Sequence, residues 1–327
     1  MMKQRVAIIE KHGPPDVLTV VARELPPPAS GEVRLRQTAI GFNYLDVNQR
    51  EGTVYSPPLP SALGHEAAGV VEQLGDGVTA WKPGDRVAYM NAGIGAYASH
   101  RNVSADKLVA VPDTVSDEAA AALLFKGLTA QYLIRRTHVV QPGDLLLVHS
   151  AAGGVGQILA RWATSLGATV VGTTGSPHKR DAVLAAGCTS VIDLTDPDWP
   201  SAFLKASGGR KARVVYDAIG KDTFLQSLDC VDSFGLMVSY GSASGHPPPV
   251  DIGLLNQKGC VFLTRPSVFP HNATPAQLQA NAADLFDAIG RGVVKVDIGQ
   301  RFRLDDIVEV HKAAQDRRIA GAIVIVP

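Results

Sequence analysis

Leu145-Leu146-Leu147-Val148-His149-Ser150-Ala151-Ala152-Gly153-Gly154-Val155-Gly156 is the stretch that decides the fold of this chain. The apolar run Leu145 to His149 has the length and composition of a buried strand. After it, Val155, Ile158, Leu159, Trp162 and Leu166 recur at helical spacing, and Gly167 stands where a helix would end on a glycine. A strand, a glycine turn and a helix in that order seat a dinucleotide. Glycines let backbone N–H groups approach a pyrophosphate, and the helix N-terminus offers it roughly half a positive charge. Ala152, Gly153, Gly154, Val155 and Gly156 are assigned to that contact. The usual pattern is G-x-G-x-x-G, and Ala151 occupies the place of its first glycine.

Apolar runs that alternate with helical patterns surround the turn: Leu145 to His149, Thr169 to Thr173, Ser190 to Asp193, Val214 to Asp217, Leu236 to Tyr240 and Cys260 to Thr264. Such a series predicts a doubly wound parallel sheet, an α/β Rossmann unit. An NAD-binding unit would place an acid at the end of the second strand to accept from the adenosine ribose hydroxyls. The chain instead reads Val171-Gly172-Thr173-Thr174-Gly175-Ser176-Pro177-His178-Lys179-Arg180. Thr173, Ser176, Lys179 and Arg180 offer hydroxyls and two cations where a 2′-phosphate would sit, Lys179 ahead of Arg180 as its partner, so NADPH is expected rather than NADH. A charge-assisted bond of this kind contributes about 1.5 to 3 kcal/mol.

Composition excludes other classes. The chain has 327 residues and a formal net charge of zero, with no Lys/Arg run to track a phosphate backbone, so no nucleic-acid partner is expected. The apolar run Val6 to Ile9 is too short for a signal segment or a membrane span, and a cytoplasmic protein without membrane contact is expected. The cysteines, Cys188, Cys230 and Cys260, are scattered singly in or near the sheet strands and read as small buried packing residues.

About 125 residues precede the nucleotide unit and read as mostly β. Val6 to Ile9, Val17 to Val21, Glu32 to Phe42, Gly69 to Leu74 and Arg86 to Met90 are strand-like, broken by Gly13-Pro14-Pro15, Pro26-Pro27-Pro28, Pro57-Pro58 and Lys82-Pro83-Gly84-Asp85. Beyond the sixth strand, 275–291 and 305–317 look helical, and Ala322 to Val326 looks like a strand returning to the first domain.

Gly64-His65-Glu66-Ala67-Ala68-Gly69, Pro83-Gly84-Asp85-Arg86-Val87, Lys126-Gly127-Leu128-Thr129-Ala130 and the Ala-Ala-Gly-Gly-Val-Gly turn occur in that order, followed by Asn256-Gln257-Lys258-Gly259 and Thr264-Arg265-Pro266-Ser267. In these the chain resembles, over its full length, the zinc-free quinone oxidoreductases, the ζ-crystallin-like group of the medium-chain dehydrogenase/reductase superfamily. The resemblance implies a GroES-like β-rich catalytic domain (1–125 and 266–327), a Rossmann NADPH-binding domain (126–265) and NADPH in the cleft between them. It also implies a homodimer through the Rossmann domains, with the last strand, near Cys260 to Thr264, pairing with its counterpart.

Zinc-binding members of that superfamily carry a Cys, His and Cys set. Here Asn43 stands at the first of those positions and Lys126 near the third, leaving only His65. One imidazole beside an ammonium does not hold zinc, which needs three or four N, S or O ligands. No metal is expected, and Asp46, His65 and Glu66 read as a hydrogen-bonded cluster behind the nicotinamide pocket. The resemblance further places Asn43, Lys126 and Thr129 beside the nicotinamide and its ribose, Gly241 and Ser242 along the cofactor groove, and Arg265 and Arg317 or Arg318 at phosphates or closing that groove.

A quinone carbonyl gaining negative charge wants a hydrogen-bond donor, and Tyr55, in Gly52-Thr53-Val54-Tyr55-Ser56, is the candidate. Together with Asn43 and Lys126 it makes up the expected catalytic set. The expected function is NADPH-dependent quinone reduction, with a small-molecule quinone as substrate. The alternatives are an NADPH-dependent enone or alkenal double-bond reductase, and a non-catalytic NADPH-binding protein, crystallin-like or RNA-binding.

Overall fold

The computed structural model describes residues 2–53, 56–295, 297–316 and 321–327; of the residues singled out above, Tyr55, Arg317 and Arg318 lie outside the described residues. The chain divides into two units, one made of 1–128, 272–290 and 295–327, the other of 129–271 and 291–294.

The first unit begins with β1 (Met2–Ile9), β2 (Leu18–Leu25), β3 (Glu32–Gly41), helix α1 (Tyr44–Glu51), β4 (Ser61–Ala62), β5 (Glu66–Leu74), β6 (Arg86–Met90), β7 (His100–Ser104), β8 (Leu108–Ala110) and the start of α2 (Asp117–Tyr132). β2, β1 and β4 form a three-stranded sheet. β3 lies in the middle of a larger one, antiparallel to β5 and to β7. A strand with neighbours on both sides is covered along most of its length: Val33, Arg34, Leu35 and Gln37 are buried and only Arg36 is exposed. A register shift between Gln37 and Ala39 then lets Ala39 and Ile40 both turn inward. Leu35, Ile40, Val71, Val87, Tyr89 and Tyr97 meet in the core of this unit.

The second unit holds β9 (Leu145–Val148), α3 (Gly154–Ser165), β10 (Thr169–Thr174), α4 (Arg180–Ala185), β11 (Ser190–Asp193), α5 (Trp199–Ala206), β12 (Ala212–Asp217), α6 (Phe224–Cys230), β13 (Val231–Ser239), α7 (Ile252–Gln257), β14 (Phe262–Thr264) and α8 (Val268–His271). Its sheet has six strands in the order β11-β10-β9-β12-β13-β14, all parallel. The order turns back on itself between β9 and β12, the reversal at which doubly wound sheets bind ligands beyond the strand C-termini. β9 is buried on every residue, as a central parallel strand requires. α3 buries Ile158, Leu159 and Trp162 and ends as read, with Gly167 left-handed at φ 88°.

The chain then returns to the first unit through α9 (Pro275–Gly290), β15 (Ile298–Arg303), α10 (Ile307–Gln315) and β16 (Ala322–Val326). β16 pairs with β3 through Val324–Gly41 and Ile325–Ile40, the return that its apolar run predicts. Several elements differ from the sequence reading, among them the apolar helix α2 and the short strand β8, which lie in the stretch read as mostly β without being named. β7 was not anticipated because only Val103 of its residues is buried. β5 starts at Glu66, three residues before the apolar run predicts, because its first residue is a buried acid. Cys188 and Cys230 are buried as expected, but Cys260 is exposed: it sits at φ 57° in the turn before β14, the edge strand, which no further strand among the described residues covers. Among the described residues no helix is long and apolar enough to cross a membrane.

Candidate functional site

In the second unit, the glycine turn leads from β9 into α3 with Gly153 as N-cap. The left-handed residue of the turn is Ser150 (φ 54°) rather than a glycine. Ala151 is wholly buried and its N–H donates to the Thr173 carbonyl at 3.0 Å, tying the turn to β10. Room for its methyl comes from Gly172, where an added Cβ would lie 2.8 Å from Ala151 Cβ. The turn is equally tight at Gly156, where a Cβ would lie 2.3 Å from the Ser150 carbonyl oxygen. Bare backbone at the start of a 12-residue helix is the donor set a pyrophosphate needs, and these residues fit a dinucleotide.

At the end of β10, Thr173 is buried and its hydroxyl meets His149 Nδ1 at 3.1 Å and the Ser150 N–H at 3.3 Å, so it braces the turn from within. Ser176 is half-buried, its N–H donating to Thr174 Oγ1, and its carbonyl accepts from the Lys179 N–H at 3.0 Å. Lys179 makes no ion pair with any described residue, whereas Arg180 donates to the Val191 carbonyl at 3.2 Å. Beyond β13, Arg265 fastens the Gly241–Ser242 segment: Nη1 reaches the Ser239 and Gly241 carbonyls at 3.1 and 3.3 Å, and Nη2 donates to Ser242 Oγ at 2.9 Å. Thr129 is buried on α2, one turn past Lys126.

In the first unit, Asn43, Asp46, Glu66 and Lys126 come together. Asn43 is the N-cap of α1 with Asp46 three residues on, in the capping-box arrangement. Asp46 Oδ2 accepts the Asn43 N–H at 2.9 Å and the Tyr97 hydroxyl at 2.7 Å, while Oδ1 is buried without a partner. Burial, with a lesser contribution from the Glu66 charge, pushes the Asp46 carboxyl up to about 7 against the lowering effects of Asn43, Tyr97 and Lys126. Glu66 Oε1 accepts from Asn43 Nδ2 at 2.8 Å and Lys126 Nζ at 3.1 Å, and Oε2 from the Phe125 N–H at 2.7 Å. Lys126 also donates to the Phe42 and Ala122 carbonyls at 3.0 and 3.3 Å.

His65 stands apart from this cluster. Its Nε2 meets Gln49 Oε1 at 2.8 Å, and burial, aided by the Arg101 charge, lowers its pKa to about 4, so it is neutral. Zinc does not fit these residues. The Glu66 oxygens are taken by an amide, an ammonium and a backbone N–H, the imidazole is turned to Gln49, and Asn43 points its nitrogen at Glu66. Among the described residues no group of three or more His, Cys, Asp or Glu side chains is arranged for a metal ion. Tyr97, which donates to Asp46, and Gln49, which holds His65, carried no signal in the sequence, because neither belongs to a motif and both act only through tertiary contacts.

Comparison with known proteins agrees with both units. Residues 29–113 match the alcohol dehydrogenase GroES-like domain, and residues 154–277 match the zinc-binding dehydrogenase family. The fold and these matches define a medium-chain dehydrogenase/reductase, a GroES-like unit joined to a Rossmann unit. Quinone oxidoreductase 1 of Escherichia coli is 42% identical over 319 residues, 97% of this chain and 98% of the relative. The crystal structure of E. coli quinone oxidoreductase complexed with NADPH superimposes with a TM-score of 0.95 at 42% identity, over 99% of this chain and 100% of the other. A 2-haloacrylate reductase from Burkholderia sp. is 39% identical over 332 residues, 98% of each chain. Within its superfamily the chain belongs to the quinone oxidoreductase family.

Proposed function

We propose that this protein reduces quinones with NADPH and without a metal. The observation that carries the reading is the end of β10, where the segment from Val171 to Arg180 holds no acid and Lys179 has no ionic partner among the described residues, beside a glycine turn built for a pyrophosphate. When bound, NADPH supplies a hydride from its nicotinamide C4 to the quinone, which also takes up a proton and becomes a hydroquinone. Ala152, Gly153, Gly154, Val155 and Gly156 hold the pyrophosphate through backbone N–H groups and the α3 N-terminus. Lys179 and Ser176 take the 2′-phosphate; Thr173 sets the turn that presents them. Asn43, Lys126 and Thr129 serve the nicotinamide and its ribose, while Arg265 holds Gly241 and Ser242 along the cofactor; a part for Arg317 or Arg318, which lie outside the described residues, rests on the resemblance alone. Tyr55, outside the described residues, stays the candidate donor to the quinone oxygen from its place in the sequence alone.

Turnover by chelator-treated protein, with 1,4-benzoquinone as acceptor and no added metal, tests this reading. Rapid oxidation of NADPH and slow oxidation of NADH support it; activity only after zinc is restored overturns it. The similarity to a 2-haloacrylate reductase favours a second reading, reduction of an activated double bond. An α,β-unsaturated carbonyl accepts hydride at its β-carbon, and turnover confined to an alkenal, with none on benzoquinone, would establish it.

The edge strand supports a homodimer through the nucleotide-binding units. β14 pairs only with β13 among the described residues, and Phe262 on β14 and Phe234 at the start of β13 are 61% and 62% exposed. A bare edge with large apolar side chains is a surface that a second copy covers by two-fold pairing.

A further inference from the structure

Glu66 lies at the first position of β5 with its side chain wholly buried, and no motif assigns it a part in the reaction. It reaches α2 only because residue 41 is a glycine: a Cβ there would lie 2.6 Å from Glu66 Oε1 and 2.1 Å from the Ala121 carbonyl oxygen. Backbone packing at the end of β3 therefore makes room for a buried carboxylate facing Asn43, Phe125 and Lys126. The Lys126 ammonium has three N–H donors, and Glu66, Phe42 and Ala122 supply three acceptors. With its donors engaged, Lys126 acts on a ligand mainly through its charge. Glu66 stands 3.1 Å from that charge, so it sets how much of it a neighbouring group feels.

Oxidation of the nicotinamide adds a positive charge. A lone ammonium nearby would oppose it, and an ammonium paired with a buried carboxylate would not. We propose that Glu66 is a positioning residue for hydride transfer: it holds the Asn43 amide and the Lys126 ammonium in place and offsets the Lys126 charge, so that NADP+ is not disfavoured relative to NADPH. The proposal rests on the reading that Asn43 and Lys126 serve the nicotinamide. The reaction balances as proposed: one hydrogen leaves C4 with two electrons, the quinone is reduced, one proton comes from solvent, and no further oxidant is needed.

The test is the dissociation constant of NADP+ and of NADPH, read by quenching of protein fluorescence, for wild type, Glu66→Gln, Lys126→Met and the double variant. Glu66→Gln is expected to weaken NADP+ on the order of tenfold more than NADPH and to lower kcat with benzoquinone while the KM for benzoquinone stays unchanged. Adding Lys126→Met should restore the ratio of the two constants, a rescue that a packing role would not give. Equal weakening of both nucleotides by Glu66→Gln, or no rescue in the double variant, overturns the proposal. If Glu66→Gln does not fold, Lys126→Met alone decides, since it should tighten NADP+ relative to NADPH, and an unchanged ratio overturns the inference. Asn43→Ala separates this from the underlying reading. If neither Asn43→Ala nor Lys126→Met alters binding of either nucleotide, the nicotinamide assignment fails; if both do and Glu66→Gln leaves the ratio intact, only the role of Glu66 fails.

Discussion

The methyl of Ala151 occupies space left open by Gly172 on the neighbouring strand, where an added Cβ would stand 2.8 Å away. A nucleotide-binding turn that lacks its usual first glycine is thereby completed by a glycine on β10. The same added Cβ would lie 2.5 Å from Val183 Cγ1 and 2.8 Å from Cys188 Sγ, so Gly172→Ala overpacks a closed site. It should destabilise the protein by about 1 to 3 kcal/mol and weaken NADPH binding, measured by denaturant unfolding and by nucleotide titration. Ala151→Gly, which only removes a methyl, should keep nucleotide binding.

Lys179→Ala should raise the KM for NADPH at least about tenfold, as expected for a lost charge-assisted bond of about 1.5 to 3 kcal/mol, and leave the KM for NADH nearly unchanged. Steady-state kinetics with both nucleotides check this, and equal effects would remove the 2′-phosphate from the role of Lys179. Arg180→Ala, whose guanidinium is turned to the Val191 carbonyl, should have a small effect on both.

Asp46 makes stability depend on pH in a direction unusual for an acid. Its carboxyl is held up to about 7 in the folded protein, chiefly by burial. Between the unfolded value near 4 and that folded value, the native state binds the extra proton. This contribution is therefore complete below about pH 4 and is lost as pH rises through 7. Asp46→Asn keeps acceptors for the Asn43 N–H and the Tyr97 hydroxyl without the charge. It should flatten this part of the profile, as read from urea unfolding at a series of pH values, while its Nδ2, in the place of the partnerless Oδ1, offsets about 1 to 3 kcal/mol of the gain at pH 8.

Two buried histidines act oppositely. Burial, together with nearby arginine charge, lowers His65 to about 4 and His311 to about 3. Their contribution is present above the unfolded value near 6.5 and is lost as pH falls towards those folded values. His311→Gln should reduce the loss of stability between pH 6.5 and pH 4 in the same unfolding series, whatever it costs at neutral pH.

Phe262→Asp places a charge on the exposed edge of the nucleotide-binding sheet. Sedimentation velocity should show a dimer for wild type and a monomer for the variant, with the far-ultraviolet circular dichroism retained. A monomeric wild type would overturn the edge-strand interface.

Much of the second unit was legible because it is built from local signals. β9, α3 and Gly167 each follow from apolar spacing and chain punctuation within a few residues, and central parallel strands must be apolar whatever their neighbours. The absence of an acid after β10 could likewise be read directly. β7 and β15 were not legible, because strands of mostly polar, half-buried or exposed side chains carry little periodic signal. Cys260 differs because a place in or near a sheet strand suggests burial, whereas exposure depends on which strand of the sheet stands at the edge.

The sequence by itself determined the two-unit architecture, the glycine turn and the choice of NADPH, since each depends on residue types at short range. Only the tertiary structure decided what the polar residues near Asn43 do. Glu66 is joined to Asn43, 23 residues before it, and to Lys126, 60 residues after it, while Asp46 receives Tyr97, 51 residues on. A buried charge takes its partners from whichever strands and helices the backbone brings within hydrogen-bond reach, and that distance is set by the packing of β3, β5 and α2.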